Sequence, residues 1–147
     1  MLRINLIAAV GRRGQLGLNG EMPWTKDAED LRFFRIATKG SVVVFGNRTF
    51  DPLFCHQPVW SDRMVLAMGR EGTRIYDGGS LVGYWEPGVD RILHKLADKD
   101  LDVWVAGGAE TYRMWLPHVR RCFITKMDYD GDADTWMPRI WNETSIG

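Results

Sequence analysis

Leu101-Asp102-Val103-Trp104-Val105-Ala106-Gly107-Gly108-Ala109-Glu110-Thr111-Tyr112 is the stretch that decides the fold. Residues 101–106 are a short apolar run closed by Gly-Gly, which predicts a buried strand. Residues 110–116 then run without Gly or Pro until Pro117, which predicts a short helix. The same device stands upstream, where Ser41-Val42-Val43-Val44-Phe45 leads into Gly46-Asn47-Arg48-Thr49 and a short helix stopped near Pro52. Ile4-Asn5-Leu6-Ile7-Ala8-Ala9-Val10 is nearly all apolar, as a central strand covered on both faces must be. Strand, glycine turn and helix in alternation predict an α/β sandwich around a largely parallel sheet, with ligands at the carboxyl ends of its strands.

Working outward, residues 11–20 hold four glycines and predict a long, mobile loop. A helix follows over 28–38, capped by Asp27 and ended by Gly40. Residues 63–68 predict a third strand, and Gly69, Gly72, Gly78 and Gly79 punctuate what comes after it. Pro87 opens a helix to about Lys99 whose Val89, Ile92, Leu93 and Leu96 stand at i, i+3, i+4 and i+7, the clearest amphipathic stripe in the chain. Residues 122–127 supply a further strand. At 147 residues, 1–147 reads as one domain.

Composition narrows the function. With 45% hydrophobic and 26% charged residues the chain can bury a core. Nineteen Lys+Arg against nineteen Asp+Glu leave no net charge, which argues against a nucleic acid or an anionic membrane as partner. Cys55 and Cys122 are too few for a disulfide framework and fit a reducing, cytoplasmic setting. Residues 4–10 are too short for a signal peptide and run on into Arg12 and Arg13, and no apolar run approaches the ~18 residues of a membrane span.

Several chemistries fail on spacing. His56, His94 and His118 lack metal-ligand spacing. The run from Asp128 to Asp134 resembles a calcium loop, but its glycine is misplaced and Arg139 stands where the bidentate Glu belongs. There is no Walker loop, no G-x-G-x-x-G and no nucleophile elbow. What remains is Asp30, on a helix face with Phe34 and beside Leu31. It is either an acid in a first helical turn favoured by the dipole, or a carboxylate in an apolar cleft that binds or protonates a cationic heterocycle. The two glycine turns, Gly46-Asn47-Arg48-Thr49 and Gly107-Gly108-Ala109-Glu110, each common for steric reasons alone, together suggest a dinucleotide diphosphate.

Five motifs in order carry a resemblance: Met22-Pro23-Trp24; Asp30-Leu31-x-x-Phe34-Arg35-x-x-Thr38; Gly46-x-Arg48-Thr49-Phe50; Gly107-Gly108-x-x-x-Tyr112; and Asp134-Thr135-x-x-Pro138. From 4 to 138 the chain resembles dihydrofolate reductase, which implies a three-layer α/β sandwich with a mixed, mostly parallel central sheet. The resemblance implies NADPH as cofactor and hydride transfer from nicotinamide C4 to C6 of a dihydropterin protonated at N5, within tetrahydrofolate biosynthesis and one-carbon metabolism. It implies that Asp30 anchors the pterin, that Thr125 reaches the same amino group, and that Trp24 holds an ordered water. It also implies that Ile7, Ala8, Leu31, Phe34, Trp60, Ala106 and Tyr112 surround the substrate and that Arg63 grips its glutamate α-carboxylate. On the cofactor side it implies Ala9, Leu16, Gly17 and Met22, with residues 14–22 closing over nicotinamide. Gly46, Asn47, Arg48, Thr49, Gly107, Gly108, Ala109, Glu110 and Thr111 fall at the phosphates, and Arg70 at the 2′-phosphate. Antifolates such as methotrexate or trimethoprim are the implied inhibitors, and no metal is implied.

The chain also departs from that pattern. Asn47 replaces a basic residue, Gly69 a serine, Trp60 a leucine and Ala106 a larger aliphatic. Nine residues follow Pro138, where the family adds a final pair of strands. The strand at 122–127 is therefore expected to leave an open edge, covered by Ile140 and Trp141 or by a second chain in a weak edge-strand dimer, or to stay monomeric behind Arg120, Arg121 and Lys126. A related pterin or pyrimidine reductase and a non-catalytic nucleotide-binding module stand as alternatives.

Overall fold

The computed structural model describes residues 1–20, 22–24, 28–50 and 58–139, with the side chains of 28–31 excepted. Its sheet has seven strands in the order β6-β5-β4-β3-β7-β1-β8. These are β1 (Leu2–Val10), β3 (Val42–Gly46), β4 (Met64–Met68), β5 (Thr73–Asp77), β6 (Ser80–Trp85), β7 (Leu101–Gly107) and β8 (Arg121–Lys126). β2 (Gln15–Gly17) and β9 (Thr135–Trp136) form a separate antiparallel ribbon. β1 pairs in parallel with β7 and β8, and β3 with β4 and β7. The alternation of strand and helix signals accounts for these parallel pairs, whereas β5 and β6 are antiparallel to their neighbours, so the sheet is mixed and mostly parallel.

Strand alternation divides the apolar residues between two faces. Ile4, Leu6, Ala8 and Val10 of β1 join Val103 and Val105 of β7 in one cluster, covered by Ile92 and Leu96 of α2 (Val89–Leu96) and by Tyr112 and Trp115 of α3 (Ala109–Trp115). Ile92 is 0% and Leu96 2% exposed, each burial contributing ~1.5–3 kcal/mol, so the predicted stripe is the face that holds α2 down. On the other face Val43, Phe45, Val65 and Ala67 gather Phe50, Trp60 and Tyr76, packed by Phe34 of α1 (Ala28–Thr38). Trp60 takes Phe34, Phe45 and Phe50 edge-on, with ring centroids 6.1, 5.5 and 5.6 Å away.

The structure departs from or adds to the sequence expectations in three places. Residues 11–20 are tied down: Gln15 and Gly17 pair with Trp136 and Thr135, and the Met137 N–H donates to the Gly14 carbonyl at 2.8 Å. The glycines after β4 punctuate a β-hairpin. Gly78 and Gly79 have φ of 59° and 90°, the left-handed pair a two-residue hairpin turn demands. Pro87 lies before α2, with Gly88 at its N-cap. The Asp27 cap, the short helix near Pro52, Cys55, His56 and the proposed covering segment at Ile140 and Trp141 lie outside the described residues. Among the described residues β8 is the last strand of the sheet, and no helix is long and apolar enough to cross a membrane.

Candidate active site

Adjacent strands β3 and β7 end together, with Phe45 in register with Gly107. The chain leaves β3 through Gly46, whose carbonyl accepts the N–H groups of Thr49 and Phe50 at 3.0 Å each. A Cβ on Gly46 would stand 2.7 Å from Thr111 Oγ1 of α3, and one on Gly108 would stand 3.2 Å from Thr49 Oγ1. Gly107 has φ 138° and is joined to Gly108 by a cis peptide. The two glycine turns are thus in contact, and two threonine hydroxyls lie where larger residues would close the space. Ala109 opens α3, and Glu110 accepts a hydrogen bond from Arg113 at its exposed surface.

One strand over, Ile7 and Ala9 of β1 lie in register with Phe123 and Thr125 of β8. Ile7 is buried, whereas Thr125 and Ala9 are half-buried. Ala8 points its methyl into the cluster on the opposite face, so it can offer this side only its backbone. α1 crosses here: Phe33 meets Phe123 with centroids 6.5 Å apart, and Phe34 meets Trp60. Ala106 packs beside Phe34 against the same cluster. The backbone of Asp30 and Leu31 belongs to α1, one turn before Phe33 and Phe34, and their side chains lie outside the described residues. Trp24 is half-buried with its ring edge-on to Tyr129, centroids 6.0 Å apart, just beyond the end of β8.

Arg63 is 6% exposed. Its Nε donates to Thr38 Oγ1 at 2.8 Å, and its two terminal nitrogens donate to the carbonyls of Val59 and Arg35. Burial pushes its pKa down from the ordinary arginine value, with Asp62 acting in the opposite sense and Arg35 in the same sense as burial. No carboxylate forms an ion pair with it among the described residues. Three of its five N–H groups are engaged by neutral acceptors, and the other two have no partner among the described residues. Trp60 is 1% exposed and stands behind Phe34, and the Tyr112 hydroxyl donates to the Ile7 carbonyl at 2.8 Å, pinning α3 to β1.

The 11–20 segment closes over the end of β1. Leu16 packs against the core, and Gln15, 0% exposed, accepts from the Arg13 N–H and donates to Asp130 and the Gly131 carbonyl. Arg12 pairs with Asp128 and Arg13 with Asp130, which sets the acidic loop to holding this segment in place. The Asn19 N–H donates to Asp134 Oδ2 at 2.9 Å; that bond, then the Thr135 hydroxyl, lowers the Asp134 pKa below the usual carboxylate range. Met22 is exposed, next to this segment in sequence.

At the far end of the cradle, Asn47, Arg48 and Arg70 are exposed at the carboxyl ends of β3 and β4. A residue that the sequence reading did not single out joins them: Arg74 of β5, whose guanidinium donates to Asn47 Oδ1. The signal for its strand was the Gly78-Gly79 pair between two alternating runs.

The family model described as dihydrofolate reductase matches residues 3–146. Dihydrofolate reductase of Mycobacterium leprae is 31% identical, over 100% of this chain and 87% of that protein. Dihydromethanopterin reductase of Methylorubrum extorquens is 27% identical, over 96% of this chain and 94% of that protein. Among solved structures, dihydrofolate reductase from Enterococcus faecalis complexed with NADP(H) and RAB-propyl superposes with a TM-score of 0.75 at 23% identity, over 94% of this chain and 78% of that one, a likeness of fold.

Proposed function

This chain belongs to the dihydrofolate reductase family, and we propose that it reduces dihydrofolate to tetrahydrofolate with NADPH, residues 1–147 acting as one domain. The observation that carries this reading is the cradle where β3 and β7 end. Gly46 and Gly108 leave open the space a Cβ would fill against Thr111 and Thr49, and Arg48 and Arg70 stand beside it with no carboxylate ion pair among the described residues. Neutral donors beside uncompensated cations suit a dinucleotide diphosphate, so these residues fit the cofactor. Bound NADPH supplies the hydride that reduces the pterin at C6.

The chain's own residues do the rest. Asp30, one helical turn before Phe33 and Phe34, anchors the pterin's amino group and ring nitrogen, and its charge favours the N5-protonated ring. Thr125 orients the same amino group from β8. Trp24 holds water near the carboxylate, and water is the proton's route to N5. Ile7, the Ala8 backbone, Leu31, Phe34 and Ala106 form the apolar wall, with Trp60 and Tyr112 supporting Phe34 and β1 from behind. Arg63 offers its two remaining N–H groups to the substrate's α-carboxylate, an anion that relieves the cost of burying an unpaired guanidinium. Ala9, Leu16, Gly17 and Met22 border the nicotinamide, where the tied-down 11–20 segment excludes water.

A second reading, reduction of a related dihydropterin, draws on the likeness to dihydromethanopterin reductase and on the small Ala106. One assay separates the readings: loss of NADPH absorbance with dihydrofolate, with and without methotrexate, against a dihydropterin that lacks the glutamate. Turnover of dihydrofolate blocked by methotrexate is expected. Turnover of the glutamate-free pterin alone would overturn the folate reading.

A further inference from the structure

The β5–β6 hairpin brings a cation to the cofactor cradle from outside the five motifs. Arg74 is half-buried on β5, opposite Ala67 of β4 and Tyr84 of β6. Its guanidinium lies 5.5 Å from the centroid of the Tyr76 ring, and Nη1 donates to the Tyr76 hydroxyl at 2.6 Å. Nη2 donates to Asn47 Oδ1. Asn47 is itself fixed, because its backbone N–H donates to the Met68 carbonyl at 2.7 Å. Two of the five N–H groups of Arg74 are therefore spent on neutral oxygens and three remain, with no carboxylate ion pair among the described residues.

NADPH differs from NADH in one group, a phosphate monoester on the adenine ribose. A protein separates the two by placing positive charge with free N–H donors where that phosphate falls. Arg48 and Arg70 bring charge on exposed side chains. Arg74 differs in that its fork is already aimed, by an amide on one side and a phenol on the other, so it loses less freedom on meeting an anion. Position 47 carries no charge of its own, and its amide oxygen holds the guanidinium that does.

We propose that Arg74 is a specificity residue that recognises the 2′-phosphate of NADPH, with Asn47 as its positioning residue; this rests on the reading that NADPH is the cofactor. The test uses the full chain, its Arg74→Met variant, which keeps an apolar stem and removes the charge, and Arg74→Lys, which keeps the charge and removes the fork. Affinities for NADPH, NADH, 2′-AMP and 5′-AMP are measured by fluorescence titration and calorimetry, without turnover. Arg74→Met is expected to lose roughly ten- to a hundredfold in NADPH affinity while NADH stays within about twofold, with Arg74→Lys between. The preference for 2′-AMP over 5′-AMP falls in parallel. The phosphate's second ionisation lies near pH ~6, so NADPH affinity of the unaltered chain weakens as pH falls through that value, and this dependence flattens in Arg74→Met. An unchanged NADPH-to-NADH ratio in both variants would overturn the role of Arg74 and leave the cofactor reading intact. An unaltered chain that binds the two cofactors equally would overturn both. If Arg74→Met does not fold by circular dichroism, the Arg74→Lys ratio and the 2′-AMP preference decide the matter.

Discussion

On the β1–β8 side of the sheet, Ile7 and Ala9 lie in parallel register with Phe123 and Thr125, and Phe123 meets Phe33 of α1. On the β3–β6 side the two glycine turns meet through Thr111 and Thr49, and Arg74 reaches Asn47 from an antiparallel hairpin. The first side is built from strands far apart in the chain, β1 lying between β7 and β8. The second is built from β3, β4, β5 and β6 in chain order, and its outer hairpin carries Arg74 to Asn47. The contrast teaches that a lost cation, here at Asn47, need not mean lost charge at the site. The place to look is the neighbouring strand on the same face.

The largest effect should come from the β1–β8 side. Asp30→Asn is expected to lower turnover of dihydrofolate about a hundred- to ten-thousandfold near neutral pH, because it removes the one ionisable group the motif sets on the pterin. NADPH affinity, governed by the other side, should remain close to that of the unaltered chain. Parallel loss of both, read from kcat and the NADPH Kd, would break the division between the two sides.

Arg63→Met comes next and sharpens the same boundary. It should raise KM for dihydrofolate by roughly ten- to a hundredfold through the lost charge-assisted bonds to a carboxylate. It should also lower the melting temperature, since the carbonyls of Val59 and Arg35 and the Thr38 hydroxyl lose a buried donor. A glutamate-free pterin is the control. If its KM rises as much, Arg63 is structural only.

On the cradle side, Gly46→Ala would set a Cβ 2.7 Å from the buried Thr111 hydroxyl. Stability should fall by about 1–3 kcal/mol from overpacking, and NADPH affinity should fall with it. Adding Thr111→Ala should restore the unfolding midpoint without restoring cofactor affinity. Recovery of both would show that the glycine serves packing alone.

The smallest effect belongs to the ribbon that joins the segment after β1 to the segment after β8. Asp134 holds the Asn19 N–H, and this bond lowers its pKa, so the tie is complete at neutral pH and is lost as pH falls through that lowered value. In an NMR titration the Asn19 amide should shift with a midpoint below the ordinary carboxylate range, and Asp134→Asn should abolish the titration. A midpoint at the ordinary value would show that the tie is not made in solution.

Much of the fold could be read from residue pattern because its cues are local. Val89, Ile92, Leu93 and Leu96 name a helix face, and the runs at 4–10, 41–45 and 101–106 name buried strands. The β5–β6 hairpin is not legible because Thr73-Arg74-Ile75-Tyr76-Asp77 mixes polar and apolar residues as a strand exposed on one side does, and its glycines mark a break in the pattern without naming the turn type. Gly46, Gly107 and Gly108 could be named from sequence. That Gly46 approaches Thr111 could not, since it depends on two strands ending side by side. Arg74 was invisible for the same reason: its contact with Asn47 spans twenty-seven positions and needs β4 between them to set the distance. The acidic run at 128–134 showed its charge but not its use, which is to hold Arg12 and Arg13.

The central claim, dihydrofolate reduction by hydride transfer on the α1 face, is tested most directly with NADPH carrying deuterium on both C4 positions of the nicotinamide. Incubation with dihydrofolate and this chain should give tetrahydrofolate with one deuterium at C6 for each NADPH consumed, as read by mass spectrometry and NMR. Tetrahydrofolate without that deuterium, or NADPH consumed with no tetrahydrofolate formed, would contradict the account.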